Sequence, residues 1–230
     1  MDILMGDINV TVERKWIRSM RLAVYPPDGR VVLRMPMLMP ESRAREFLTQ
    51  KWSWICRARE RVLSRPAKPE RRYLSGETHY VFGSPCTLQL EYVTSGANSV
   101  RREGDTLVMR CRASASEANR EALLYAWYRE VLRTELDRLV AEWLVRLDEA
   151  PITWSMRRMR SMWGNCRART RRVVFSVELA RVPMACVEYV VVHELTHLVV
   201  QNHGPAFRAL MTRRLPEWQS LRRQLRTSGY

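Results

Sequence analysis

The first 112 residues alternate apolar and polar positions in short runs, and this period of two is typical of half-buried β-strands. The runs predict strands at residues 8–12, 20–24, 31–35, 87–92 and 107–111. One stretch, residues 40–63, instead spaces its apolar positions at the helical repeat of about 3.6. The proline-rich, basic residues 64–72 follow and predict a loop. We therefore expect residues 1–112 to form a β-rich N-terminal region with one helix.

After Ser114 the apolar positions follow the helical repeat. Residues 114–117, Ser-Ala-Ser-Glu, resemble a capping box at the start of a long helix that ends near Leu147. Beyond it, the pattern predicts a strand from Pro151, a strand at residues 171–177, a helix with Pro183 in its first turn, and helices at 205–214 and 216–226. No internal repeat is evident. The expected fold class is α+β, with a small sheet beside the Pro183 helix, and residues 113–230 are expected to form a second domain.

One stretch carries most of the chemistry, Val191-Val-His-Glu-Leu-Thr-His-Leu-Val-Val-Gln-Asn-His203, which holds three of the four histidines of the chain. His193 and His197 are four residues apart, so a helix places both imidazoles on one face, where they can bind a single cation. Glu194 lies about 100° round the same helix and comes beside the cation, where it can hold and deprotonate a bound water. Zinc favours imidazole ligands in tetrahedral geometry, and a catalytic zinc site keeps one position open.

A third ligand has to come from outside this helix, and His203 is the nearest candidate. Because one continuous helix would not aim His203 inward, the chain is expected to turn near Asn202, a residue that tolerates left-handed geometry. The alternative is a buried helix whose polar side chains bind no metal. The residues around the motif are apolar nearly all round, so histidines and a glutamate without partners would be costly there, and a zinc ion removes that cost.

The charge of the chain raises the question of an anionic partner. The 230 residues carry a formal charge of +15, and 36 of the 39 basic residues are arginine. Such a charge attracts nucleic acid, nucleotides or acidic protein surfaces, although a general preference for arginine would produce the same excess. Seven arginines crowd the stretch ahead of the motif: Arg157, Arg158, Arg160, Arg167, Arg169, Arg171 and Arg172. This stretch is expected to bind an anionic substrate, to dock nucleic acid, or to be only a solvated basic loop.

The remaining features bear on the cellular compartment. Five cysteines are scattered and odd in number, with no Cys-x-x-Cys pair, which favours reduced thiols. The first eight residues lack the basic and apolar regions of a signal peptide, and no apolar run approaches the ~20 residues that span a bilayer. We therefore expect a cytoplasmic protein without a membrane segment.

His79 lies in a polar stretch and is expected to be exposed, and neither Cys166 nor Cys186 has the spacing of a zinc ligand.

Four motifs in the C-terminal half carry a family resemblance: Trp163-Gly-Asn-Cys166, Tyr189-Val-Val-Val-His-Glu-Leu-Thr-His-Leu, Asn202-His203 followed by Phe207, and Leu215-Pro-Glu-Trp218. In these motifs the chain resembles the YgjP-like zinc metallopeptidases, which are relatives of the WLM and SprT-like proteins within the zincins. The resemblance implies a zincin-like catalytic half with peptidase activity. It also implies a zinc ion bound by His193, His197 and His203, with Glu194 as the catalytic acid and base.

The departures from the family pattern concern substrate contacts rather than metal ligands. Met162 and Asn165 stand where the family usually has arginine and serine, and Ser176 and Gly204 stand where it has asparagine and serine. The candidate substrate-binding residues are Arg160, Trp163, Asn165 and Arg167.

The predicted function is a zinc-dependent hydrolase, a metallopeptidase in which a zinc-held water is activated by Glu194. The motif spacing itself indicates metal-assisted hydrolysis, whereas a polypeptide substrate is implied by the resemblance. Two alternatives stay open: a metal-dependent nucleoside triphosphate (pyro)phosphohydrolase and a nucleic-acid-associated, SprT-like protease. A structural zinc protein without catalysis is less consistent with the sequence, since a purely structural site does not need the Glu194 carboxylate.

Overall fold

The computed structural model describes residues 2–64, 71–159 and 161–227. Its contacts divide the chain into two compact units, Met1–Glu70 and Arg71–Tyr230. Each unit has an apolar core of its own. The described part of the chain has no helix that is both long enough and apolar enough to cross a bilayer.

The first unit is a four-stranded sheet with one helix. Its elements are β1 (Asp2–Met5), β2 (Ile8–Lys15), β3 (Arg21–Tyr25), β4 (Arg30–Pro36) and α1 (Glu41–Leu63). The strand order is β1-β2-β4-β3; β2 and β4 run parallel, and the two outer pairs are antiparallel. Alternate residues of β2, such as Val10 and Val12, are buried in one core with Leu48 and Ile55 of α1. The period-two pattern of this strand therefore reflects a sheet with one face packed against the helix and the other exposed.

The second unit begins with another four-stranded sheet and a long helix. Its first elements are β5 (Thr78–Val81), β6 (Ser84–Tyr92), β7 (Ser99–Glu103), β8 (Thr106–Cys111) and α2 (Glu117–Arg146). The strand order is β5-β6-β8-β7, with β6 parallel to β8 and both outer pairs antiparallel. The N-cap of α2 is Ser116, whose hydroxyl accepts from the Asn119 amide while the Asn119 side chain accepts from the Ser116 amide. The capping box therefore lies two residues beyond the predicted start at Ser114.

The two four-stranded sheets repeat one topology. Strand β1 begins at Asp2 and β5 at Thr78, helix α1 begins at Glu41 and α2 at Glu117, and both intervals are 76 residues. The structure therefore repeats a strand order and pairing that are not evident as a repeat in the sequence. The repeat escapes the sequence because apolar residues replace one another freely at core positions when volume and patterning are kept.

The C-terminal part of the second unit contains a smaller sheet and three helices. Its elements are β9 (Thr153–Arg157), β10 (Gly164–Arg167), β11 (Arg172–Ser176), α3 (Met184–Thr196), α4 (Pro205–Arg214) and α5 (Trp218–Thr227), with short 3₁₀ turns at Ala168–Thr170 and Val177–Arg181. The strand order is β10-β11-β9, with β9 parallel and β10 antiparallel to β11. This arrangement matches the last three strands of each larger sheet, and it places β10 against α3. The predicted α+β class, with a small sheet beside the histidine-bearing helix, is confirmed.

The structure separates the chain at residues 70/71, whereas the sequence pattern suggested 112/113. The reason is that the β5–β8 sheet shares its core with the helices that follow it. Leu88 and Met109 of this sheet belong to one buried cluster with Leu132 of α2 and Val191 of α3. The change of pattern at Ser114 marks a change from strand to helix within one core.

His79 corrects another expectation. It lies on β5, its side chain is completely buried, and its ring stacks on that of Tyr73 with centroids 5.7 Å apart. Its neighbour Thr78 faces outward, as the alternation of a strand requires, whereas Oε2 of Glu77 lies 3.5 Å from Nε2 of His79.

Candidate active site

Two histidines and a glutamate lie at the C-terminal end of helix α3. His193 and Glu194 lie in its last turn, and His197 is the C-cap with φ −68° and ψ −13°. The His197 amide still donates to the carbonyls of His193 and Glu194, at 3.3 and 3.2 Å. The helical register between His193 and His197 is therefore kept to the very end of the helix.

The chain turns directly after the motif and bends again at Asn202, where the sequence analysis expected a turn. Tight turns follow the motif at once, with the amides of Leu198 and Val199 donating to the carbonyls of Leu195 and Thr196. Asn202 does not take the left-handed conformation expected of it, since it is not among the residues with positive φ. The return of the chain uses the turn after Thr196 and the bend at Asn202, where the Gly204 amide donates to the Asn202 carbonyl at 2.8 Å.

The turn brings His203 back to the two helix histidines. The Nε2 atoms form a nearly equilateral triangle: His193 to His197 3.2 Å, His197 to His203 3.1 Å, and His203 to His193 3.1 Å. Of the described residues, these three form the one group of three or more histidines, cysteines or carboxylates close enough to hold a common metal ion. The sequence-predicted ligand set is thus brought together in space.

The triangle has the size that zinc requires. With Zn–N bonds of ~2.0–2.1 Å, two corners of a tetrahedron lie about 3.3 Å apart, close to the observed Nε2 separations. Burial, and then the charges of His197 and His203, lower the pKa of His193 to about 3. Burial also lowers the pKa of His203. Both rings are neutral near pH 7, and a histidine ligand has to be neutral.

Three neighbours that the sequence analysis did not assign a role hold the rings in place. The Nδ1–H of His197 donates to the Val200 carbonyl at 3.0 Å, and the Tyr189 hydroxyl lies 3.5 Å from Nδ1 of His193. The Phe207 ring packs against all three imidazoles at centroid distances of 4.7 to 5.0 Å. Tyr189 could have been found from its spacing, since it stands one helical turn before His193.

Arg222 is a positively charged residue near the site that the sequence analysis did not identify. Arg222 of α5 contributes positive charge that helps to lower the pKa values of His193 and His203. Helix α5 packs against α3, and no short motif links this arginine to the histidines in the sequence.

Glu194 is buried, with 5% of its surface exposed, and it lines a cleft of about 640 Å³ together with the three histidines. Burial raises the pKa of Glu194 to about 8. The Cys166 thiol lines the same cleft, and burial followed by the charge of Glu194 raises its pKa to about 11. Cys166 is therefore a neutral thiol at physiological pH.

Only some of the four predicted substrate-binding residues line the cleft. Asn165 and Arg167 line the cleft with the histidines. Trp163 does not line it; the ring packs against the apolar core, and the Trp163 carbonyl accepts from the Ser176 amide at 2.8 Å. Arg160 lies outside the described residues.

A family model and several solved structures are similar to this chain. The family model described as the YgjP-like, metallopeptidase domain matches residues 18–228. Among solved structures, the metallopeptidase zymogen abylysin of Pyrococcus abyssi is similar at 15% identity and TM-score 0.38, over 41% of this chain and 94% of that chain. The zymogen jannalysin of Methanocaldococcus jannaschii is similar at 17% identity and TM-score 0.38, over 42% and 91%. No curated protein sequence gives a significant match. Because the family model spans most of the chain, including all three histidines, the chain belongs to the YgjP-like metallopeptidase family.

Proposed function

We propose that this protein is a zinc metallopeptidase in which His193, His197 and His203 hold the ion and Glu194 moves the proton. The observation that supports this best is the convergence of three imidazole Nε2 atoms within 3.1–3.2 Å at the wall of a cleft that Glu194 also lines. A cytoplasmic location is part of the proposal, and the five free cysteines agree with a reducing compartment.

When bound, zinc supplies Lewis acidity, which polarises a substrate carbonyl and makes a water proton easier to remove. Glu194 accepts that proton and later delivers it to the leaving amine. Burial raises the pKa of Glu194 to about 8 and so favours its protonated form, whereas a bound cation would favour the carboxylate. The Val200 carbonyl fixes the proton of His197 on Nδ1 and so leaves Nε2 free to bind metal.

A second candidate function is a metal-dependent nucleoside triphosphate (pyro)phosphohydrolase at the same site. The observation in its favour is that Arg167 and Arg169 line the cleft beside the histidines. Arginine guanidinium groups bind phosphate oxygens in a bidentate manner.

A parallel assay distinguishes the two functions. The zinc-loaded protein is incubated with unstructured polypeptides and, separately, with nucleoside triphosphates, and Glu194→Gln serves as the control in both. Hydrolysis of polypeptide that disappears in Glu194→Gln, with zinc content and thermal unfolding unchanged, supports the metallopeptidase. Hydrolysis of triphosphates alone supports the second candidate, and equal activity of wild type and Glu194→Gln would exclude both mechanisms.

A further inference from the structure

A second, smaller cavity adjoins the cleft on the exposed face of the β9–β11 sheet. It has a volume of about 240 Å³, and it shares Asn165 and Arg167 with the lining of the cleft. Its other walls include Ser155 and Arg157 of β9 and Arg172 of β11. We call this cavity the arginine groove.

Strand register places three arginines on this face. Arg167 of β10 stands directly opposite Arg172 of β11 in an antiparallel pair, and Arg157 of β9 stands opposite Ser176, four positions after Arg172 along β11. Residues an even number of positions apart along a strand point to the same face. Like charges directly opposite each other on one face destabilise a sheet, so the Arg167–Arg172 pair has a cost that folding alone does not explain.

The described arginines of residues 157–172 divide into two classes, those that pair with a carboxylate and those that do not. Arg158 binds Glu121 at 2.7 Å and Glu178 at 3.3 Å, and Arg171 binds Glu149 at 3.0 Å, so both serve the fold.

Within the described residues, the guanidinium groups of Arg157, Arg167 and Arg172 make no ion pair with a carboxylate. Glu194 is moreover the single acidic residue among the described residues that line either cavity. No acidic side chain of the described residues therefore pairs with the positive charge of the arginine groove.

We propose that the arginine groove is a specificity subsite that binds an acidic side chain of the polypeptide substrate next to the bond being cleaved. This inference rests on the proposed metallopeptidase function. A guanidinium fork pairs with a carboxylate through two parallel hydrogen bonds, which matches an aspartate or glutamate side chain. The volume of about 240 Å³ is below the ~300 Å³ at which pockets for small molecules begin, so it suits one side chain better than a nucleotide.

The arginine groove also fits a polypeptide better than nucleic acid. It is concave, and it shares Asn165 and Arg167 with the wall of the cleft. Nucleic-acid backbones are instead held by basic stripes that contact many successive phosphates. Selective cleavage beside acidic residues is the expected consequence.

The test uses two peptides that differ only at the positions flanking the cleaved bond, which mass spectrometry of digested unstructured peptides locates first. One peptide carries glutamate at those positions and the other glutamine. Wild-type enzyme is expected to show about a tenfold higher kcat/KM for the glutamate peptide, as for one charge-assisted hydrogen-bonded pair. Arg172→Gln should bring this ratio towards one, and Arg172→Glu should favour a lysine peptide. Arg226→Gln, an exposed arginine of α5 that lines neither cavity, is the matched control and should keep the wild-type ratio.

Binding measured without turnover separates this inference from the proposed function. Fluorescence anisotropy measures the affinity of two zinc-loaded proteins for both peptides. One protein carries Glu194→Gln alone, and the other carries Glu194→Gln together with Arg172→Gln. Selective binding without hydrolysis by wild type would support the subsite and contradict the peptidase. Hydrolysis without preference for glutamate, an equal loss on both peptides in Arg172→Gln, or Arg172-dependent binding of single-stranded DNA in place of acidic peptide would each overturn the subsite.

Discussion

Gly164 of β10 leaves the space that the side chain of Glu194 occupies. A Cβ atom at Gly164 would lie 2.5 Å from Oε1 and 2.7 Å from Cδ and Cγ of Glu194, which is well inside van der Waals contact. The small sheet therefore approaches α3 so closely that only glycine fits at this point. The same close approach fixes the position of the proposed proton carrier relative to the three histidines.

Replacing Gly164 by alanine is expected to displace Glu194 while leaving the histidines alone. Because misplacing a catalytic group by about 1 Å can cost ~100-fold in rate, we expect kcat to fall by about that factor at unchanged zinc content. Steady-state kinetics and elemental analysis of the purified protein check this. Gly204→Ala is the matched control, since a Cβ there meets no atom within 4 Å, and an equal loss in both variants would contradict the steric explanation.

Replacing His203 by alanine removes one of three proposed ligands, and the zinc affinity should fall by more than about 100-fold, since even outer-shell changes cost 10–100-fold. Competition with a chelator of known affinity measures the change. Retention of tight zinc binding would require a different third ligand. Two nearby carboxylates are already engaged, because Glu178 binds Arg181 at 2.8 Å and Glu188 accepts from Nε1 of Trp143 at 2.9 Å.

Tyr189→Phe tests whether the hydroxyl that lies 3.5 Å from Nδ1 of His193 orients that ring. Loss of such a support typically lowers metal affinity by about 10-fold or more, and we expect a change of that size without loss of the fold. Tyr125→Phe is the comparison, because it removes a hydroxyl bonded to Glu178 instead of to a histidine. If both variants bind zinc like the wild type, the hydroxyl of Tyr189 has no positioning role.

His79 should make the stability of the second unit depend on pH. Burial, and then the charge of Arg71, lower its pKa from 6.5 to about 4, so between these values the unfolded chain binds more protons than the folded one. The free energy of unfolding is therefore expected to fall as pH drops from about 6.5 to 4, by about 3 kcal/mol in total. Urea unfolding at several pH values measures this slope. His79→Phe should lose the His79 part of the slope, and identical slopes in both proteins would contradict the assignment.

Local rules explain what the sequence predicted well. The i, i+4 spacing of His193 and His197 is a property of any helix, so their convergence follows from the residue order alone. His203 was found because so few residues separate it from the helix that a single turn can return it. The alternation along β2 and the apolar stripe of α2 likewise reveal which faces are buried.

Long-range contacts explain what could not be predicted. The roles of Arg158 and Arg171 depend on carboxylates 37 and 22 positions away, Glu121 and Glu149, so nothing in the local pattern separates them from Arg172. The boundary between the units was misplaced for the same kind of reason, because it depends on which strands share a core. The contact between Gly164 and Glu194 joins two elements that are 30 residues apart along the chain, and only the packed structure reveals it.

The repeated strand order has a consequence for how the chain is made. Two sheets with the same arrangement contain strands that could pair in the wrong combination when all of them are unfolded together. During synthesis the ribosome releases β1 to α1 before β5 exists, so the first module can close before its competitor appears. Synthesis in this order therefore reduces wrong strand pairing between the two sheets. We expect refolding from denaturant to give a lower yield of native protein than biosynthesis.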